Sequence, residues 1–190
     1  MKAVFKVSPG FVLLLGLLFF AGDELFGAFC IAALIHESAH LLTMFALGGR
    51  IAECRLTVFG AVITADRLSY AREIAAVSAG PAASLIAAYI ASCMGYDMLA
   101  GLNLVTGIYN ILPARCLDGG RVLELGLSSL GAFRAAYVTL NITTIISAAL
   151  VAAPLILAAS VGVYNWSLLV SAGLILLSAA PNFKLSVSNQ

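Results

Sequence analysis

A chain of 190 residues that is 62% hydrophobic and only 10% charged is not an ordinary soluble domain, which carries about 25% charged residues. A net charge of +1 gives no hint of a nucleic-acid partner. The four cysteines, Cys30, Cys54, Cys93 and Cys116, form no CxxC pair, so neither a disulfide framework nor a cysteine zinc site is indicated. With a mean hydropathy of +1.07, the composition is that of a protein dissolved in the lipid bilayer. A crossing helix needs about 20 mostly apolar residues. The expected fold is therefore an all-α polytopic membrane protein, one membrane-embedded domain over 1–190 with about six transmembrane helices and no appended soluble domain.

In chain order, Lys2 and Lys6 precede an apolar run over 11–21 that 4–7 extends. Phe19 and Phe20 occupy positions where signal cleavage needs small residues, so the run is expected to stay as a first span, 8–22. Asp23 and Glu24 mark a turn, and 25–47 is the second span, closed by Gly48-Gly49-Arg50. Residues 51–66 change character. β-Formers on both sides of Gly60 predict a short hairpin, either a simple connector or a strand edge for an extended peptide. A third span covers 74–94 and carries Ser78-Ala79-Gly80-Pro81-Ala82-Ala83-Ser84, small residues that allow close helix packing. A fourth span covers 98–112, with Asn103 and Asn110 as polar intrusions. Residues 122–130 read as interfacial. The fifth and sixth spans are expected at 135–158 and 164–180, with Tyr164 and Trp166 as interface anchors.

All the basic residues, 10 Lys and Arg together, fall in segments that six spans place on the side of the amino terminus. The positive-inside rule then puts both termini and the hairpin in the cytoplasm.

The second span carries His36-Glu37-Ser38-Ala39-His40, which holds both histidines of the chain. Four residues apart on a helix, the imidazoles share one face. They can take two corners of a tetrahedral zinc site. Glu37 sits between them and can reach an attacking water without being a ligand, the HExxH arrangement in which glutamate is the general base. Ionisable groups inside a membrane span are costly and mark function. Such a site needs a third ligand. Asp118, after Pro113 and before Gly119-Gly120, is the best placed, and Glu124 beside Arg121 is next; a turn or cap role is the alternative for Asp118. Cys116 reads as a small apolar neighbour of this segment.

Two motifs together resemble the site-2 protease family of intramembrane zinc metalloproteases. One is the histidine–glutamate motif in a second span. The other is Asn-x-x-Pro-x-x-x-x-Asp-Gly, present as Asn110, Pro113, Asp118 and Gly119. Gly80-Pro81 looks like the family's third-span element, although Ser84 stands where that element usually has Asn. The resemblance covers roughly 25–121. It implies one Zn2+ per chain held by His36, His40 and Asp118, with Glu37 as base. It also implies hydrolysis of a peptide bond in a membrane-embedded or membrane-associated protein substrate. Asn110 would donate to the substrate carbonyl, or hold the Pro113 turn. The chain is most similar to the small bacterial sporulation-type branch. For that branch the resemblance implies a bacterial cell membrane, processing of a pro-sigma factor, and membrane regulatory or inhibitor proteins as partners. Two other readings remain: a metal-binding membrane transporter, and an inactive relative that only binds partners. A transporter needs polar groups leading to both faces, whereas the polar residues here gather on one side.

Overall fold

The computed structural model describes residues 4–8, 12, 15–16, 19–20, 22–49, 51–57, 60–65, 68–160, 173, 175–176 and 178. Its elements are β1 (Val4–Val7), α1 (Asp23–Ala46), β2 (Ile51–Thr57), β3 (Gly60–Ala65), α2 (Tyr70–Cys93), α3 (Asp97–Ile111), α4 (Asp118–Ser129) and α5 (Phe133–Ser160). The chain divides into two compact units, Met1–Asn110 and Ile111–Gln190. Most of 8–22 and of 164–180, where the first and last spans are expected, lies outside the described residues.

In the first unit, α1 and α2 pack side by side. The buried positions of α1 are Ala32, His36, His40 and Met44; those of α2 include Ala76, Gly80, Ser84 and Ala88. Both sets recur every four residues, so each is a single ridge along its helix. The large apolar side chains point the other way: Leu34 is 68% exposed and Phe45 75%. In water this would be inverted. In lipid, small and polar residues belong at the helix contact and the bulky ones face the hydrocarbon.

Gly48 ends α1. Its φ of 84° lies in the region where a side chain is strained. Gly48 N–H bonds to the Phe45 carbonyl at 3.0 Å and Gly49 N–H to the Met44 carbonyl at 2.9 Å. These are the two bonds of a Schellman cap, and they satisfy carbonyls that lipid cannot. α2 ends the same way at Gly95 and α4 at Gly131.

Strands on both sides of α1 in sequence form a three-stranded sheet, in the order β1-β2-β3. β2 and β3 are antiparallel, with Thr57 opposite Gly60 as the closing pair, so Gly60 opens β3 rather than forming the turn. β1 joins β2 in parallel, from Val4 opposite Glu53 to Val7 opposite Leu56. Val4–Val7 is therefore a strand and not the leading end of a span. Its valines and phenylalanine suit a pleated surface, and the ladder with β2 satisfies the backbone.

Among the described residues, three helical stretches are long and apolar enough to cross a membrane: Glu24–Ala46, Tyr70–Cys93 and Phe133–Ala153. The segment expected as a fourth span, 98–112, forms α3 with bounds shifted by one residue. α3 has 15 residues, about 22 Å at 1.5 Å per residue, against a hydrocarbon core of about 30 Å. It packs on α2 through Gly107, where a Cβ would come within 2.8 Å of Leu85 Cδ2 and 3.2 Å of the Pro81 carbonyl oxygen.

In the second unit, α4 packs on α5. α4 covers most of the stretch read as interfacial. α5 buries Ala136, Leu140, Thr144 and Ala148, again a four-residue ridge of mostly small groups.

Candidate metal centre

The two imidazoles of α1 lie where the four-residue spacing puts them. His36 Nε2 and His40 Nε2 are 3.1 Å apart, and the ring planes are inclined by 79°. Both side chains are buried, at 5% and 8% exposure, so every polar atom on them needs a partner. The far nitrogen of each ring has one on α2. His40 Nδ1 bonds to the Ala76 carbonyl at 2.9 Å. A carbonyl only accepts, so Nδ1 carries the proton and Nε2 presents its lone pair. His36 Nδ1 meets the Ser84 hydroxyl at 3.0 Å.

This arrangement fits a metal. Ligating histidines hold their outer nitrogen on a carbonyl or another fixed polar group and offer the inner one to the ion. Nitrogens bound to a tetrahedral zinc at about 2.0–2.1 Å lie about 3.3–3.4 Å apart, close to the 3.1 Å separation here. Glu37 follows His36 on α1 and is half-buried, beside the pair but turned about 100° around the helix.

Space for the rings comes from Gly80. A Cβ at that position would overlap His40 Nε2 and Cε1 and lie 2.8 Å from Cδ2. The α2 backbone therefore comes right against the imidazole. Pro81 follows, and without an N–H it leaves the Val77 carbonyl without its helical donor. From the sequence this element reads as small residues for close packing, with Ser84 where Asn is usual. Ser84 is fully buried and bonded to His36. The signal that was available is the spacing: 76, 80 and 84 repeat with the same period as 36 and 40.

In the second unit, Asp118 is the first residue of α4, with Leu117 as an extended N-cap. A carboxylate there is favoured by the partial positive charge of the helix amino terminus. Gly119 and Gly120 let this turn fold tightly. A Cβ on Gly120 would overlap the Ala114 carbonyl, and one on Gly119 that of Ile111. The preceding segment is tied down by Arg115 N–H donating to Thr144 Oγ1 on α5 at 3.1 Å. The Arg115 guanidinium lies over the Tyr137 ring, 4.7 Å from its centroid. Burial pushes the Cys116 thiol up, which keeps it protonated and inert.

Two sequence candidates are engaged elsewhere. Glu124 pairs with Arg121 at 2.9 Å on the half-exposed face of α4. Asn110 donates an amide hydrogen to the Thr106 carbonyl of its own helix at 3.1 Å, which leaves its second amide hydrogen for another acceptor.

No protein-family model matches the chain. A zinc metalloprotease of Methanocaldococcus jannaschii, MJ0392, is 29% identical over 110 residues, which are 52% of this chain and 32% of that protein. The chain thus spans about a third of the length of this curated relative. The solved structure of a site-2 protease from Methanocaldococcus jannaschii superposes with a TM-score of 0.71 at 21% identity, covering 94% of this chain and 90% of that one. On this measure the chain has the fold of that site-2 protease.

Proposed function

We propose that this chain is a zinc-dependent intramembrane protease. One ion is held by His36, His40 and Asp118, and Glu37 is the general base. The observation that carries the reading is the histidine pair: two buried inner nitrogens 3.1 Å apart, with each outer nitrogen held by α2. The ligand set is supported by its chemistry, two neutral imidazoles and a carboxylate, which is a common set for a catalytic zinc. The MJ0392 likeness and the shared fold agree with it.

Bound zinc supplies a Lewis acid for the scissile carbonyl and makes water more acidic. The rest is work for the chain. Ala76 and Ser84 fix the imidazole orientations. Glu37 takes the proton of the attacking water and returns it to the leaving amine, a transfer worth about 10²–10⁴ in rate. Asn110 offers its remaining amide hydrogen to the substrate carbonyl. A helical substrate segment has to unwind locally to offer its peptide bond. The substrate is a membrane-embedded or membrane-associated protein cut toward the cytoplasmic side. Pro-sigma factor activation under membrane regulators is the specific case that the sequence resemblance favours.

The test is the metal content of the purified chain beside Glu37→Gln, His40→Ala and Asp118→Asn. The expected result is about one zinc per chain, kept in Glu37→Gln and lost or weakened in the other two. A folded wild type that binds no zinc would refute the reading. Full occupancy in Asp118→Asn would remove Asp118 from the ligand set.

A further inference from the structure

The second unit, Ile111–Gln190, carries more positive charge than its own carboxylates can pair. It has four basic residues and two acidic ones, and 125–190 holds no Asp or Glu. Glu124 is taken by Arg121 at 2.9 Å, and Asp118 is the proposed metal ligand. Arg115 has an aromatic ring where an acceptor would serve it. Its backbone N–H is fixed on Thr144 Oγ1 at 3.1 Å, and its guanidinium lies 4.7 Å from the centroid of the Tyr137 ring. The side chain therefore runs along α5 toward the start of that helix. Nε is buried and, among the described residues, has no hydrogen-bond partner. A guanidinium is all donors and cannot give up its charge. A cation with a buried edge and no counter-charge calls for an anion from outside the chain.

The place on α5 says which anion. The apolar stretch Phe133–Ala153 has 21 residues, which rise about 30 Å, the thickness of the hydrocarbon core. Tyr137 lies in the first turns of that stretch, about 6 Å from its start, the level at which rings with a polar tip gather. The ring is 54% exposed, so the cation over it stands at the outer surface and not in a helix contact. Arg134, exposed and three residues before Tyr137, is its neighbour on the helix surface. The anion present at this level of a bilayer is the phosphate of a lipid headgroup, and guanidinium groups beside a phenol suit its oxygens. We propose that Arg115, Tyr137 and Arg134 form a site for the headgroup phosphate of an anionic phospholipid. Arg115 supplies a fork that the ring and Thr144 hold in place beforehand, so little side-chain freedom is lost on binding. Because Arg115 stands three residues before Asp118, a lipid held there also steadies the segment that leads into α4. The site requires no metal, so it stands apart from the zinc reading.

The experiment is lipid titration of the full chain in maltoside detergent, with bound lipid counted by native mass spectrometry and stability read by melting. The probes are dioleoylphosphatidylglycerol, dioleoylphosphatidylcholine and inorganic phosphate. Wild type should prefer phosphatidylglycerol to phosphatidylcholine, melt higher in its presence, and hold it against an equal concentration of inorganic phosphate. Arg115→Gln should weaken phosphatidylglycerol binding about 10-fold or more, the worth of a charge-assisted hydrogen bond. Arg115→Lys keeps the charge without the fork and should fall between the two. Arg134→Gln should show a smaller loss. Arg72→Gln removes the same charge from an exposed position on α2 and should bind like wild type. Equal phosphatidylglycerol affinity in wild type and Arg115→Gln would overturn the assignment. So would equal binding of the two lipids, displacement of the lipid by inorganic phosphate, which would mark a site for the free ion, or displacement by a soluble glutamate peptide, which would mark a protein partner. If lipid-free melting shows Arg115→Gln unfolded, Arg115→Lys and Arg134→Gln carry the comparison, and wild-type affinity in both would overturn the assignment equally.

Discussion

Replacing Gly80 with alanine adds one methyl group and should cost the protein its metal. Carbon atoms in contact sit about 3.5–4.0 Å apart. The new Cβ would be 2.8 Å from His40 Cδ2 and would overlap Nε2 and Cε1. The ring has to retreat by about 1 Å or more to restore normal contact. The ridge behind it is filled by its own helix, and its Nδ1 is tethered to Ala76 at 2.9 Å. Retreat therefore moves Nε2 off the ligand position and strains or breaks that bond. Losing an outer partner alone weakens metal binding about 10–100-fold, and displacing the ligand atom adds to it. The expected fall in zinc affinity is at least about 100-fold, roughly 2.7 kcal/mol. Overpacking should also lower stability by about 1–3 kcal/mol. The control is Gly101→Ala on α3, where a Cβ meets nothing within 4 Å; alanine there should be neutral or stabilising by up to about 1 kcal/mol. Zinc competition titration and thermal melting of both variants make the comparison. Equal zinc affinity in the two would refute the close approach of Gly80 to a metal-binding imidazole.

Thr144→Val keeps the shape of a fully buried side chain and removes the acceptor of Arg115 N–H. An unsatisfied buried donor costs about 1–3 kcal/mol, so the melting temperature should drop, and an unchanged melt would show that the anchor is dispensable. Glu124→Gln breaks only the half-exposed pair with Arg121. Stability should change by less than about 1 kcal/mol and zinc binding not at all, whereas loss of zinc would restore Glu124 as a ligand.

The histidine pair was legible because helical period is a local property: 36 and 40 share a face whatever else the chain does. The end of α1 was legible for the same reason, since Gly48 permits a backbone turn that few residues accept. The partners of the histidines were not. Ser84, Gly80 and the Ala76 carbonyl meet the rings across a helix contact, and nothing local distinguishes a glycine that admits an imidazole from one that merely packs. Val4–Val7 reads as an extension of the apolar run because four residues, one of them Lys6, carry no strand period of their own. Their partner Glu53 to Leu56 is remote in sequence. The bounds of α3 agree with the sequence reading to within one residue, because Pro113 ends a helix wherever the rest of the chain lies.

The parallel pairing of β1 with β2 also works as a parity check on topology. Both strands belong to one sheet, and one sheet lies on one side of a bilayer. Whichever side that is, a chain that leaves the sheet at Val7 and re-enters it at Ile51 has crossed an even number of times. α1 is long and apolar enough to be one of those crossings. A topology in which α1 is the lone passage between Val7 and Ile51 is therefore incompatible with four backbone pairings. That constraint comes from hydrogen bonds and owes nothing to the distribution of charge.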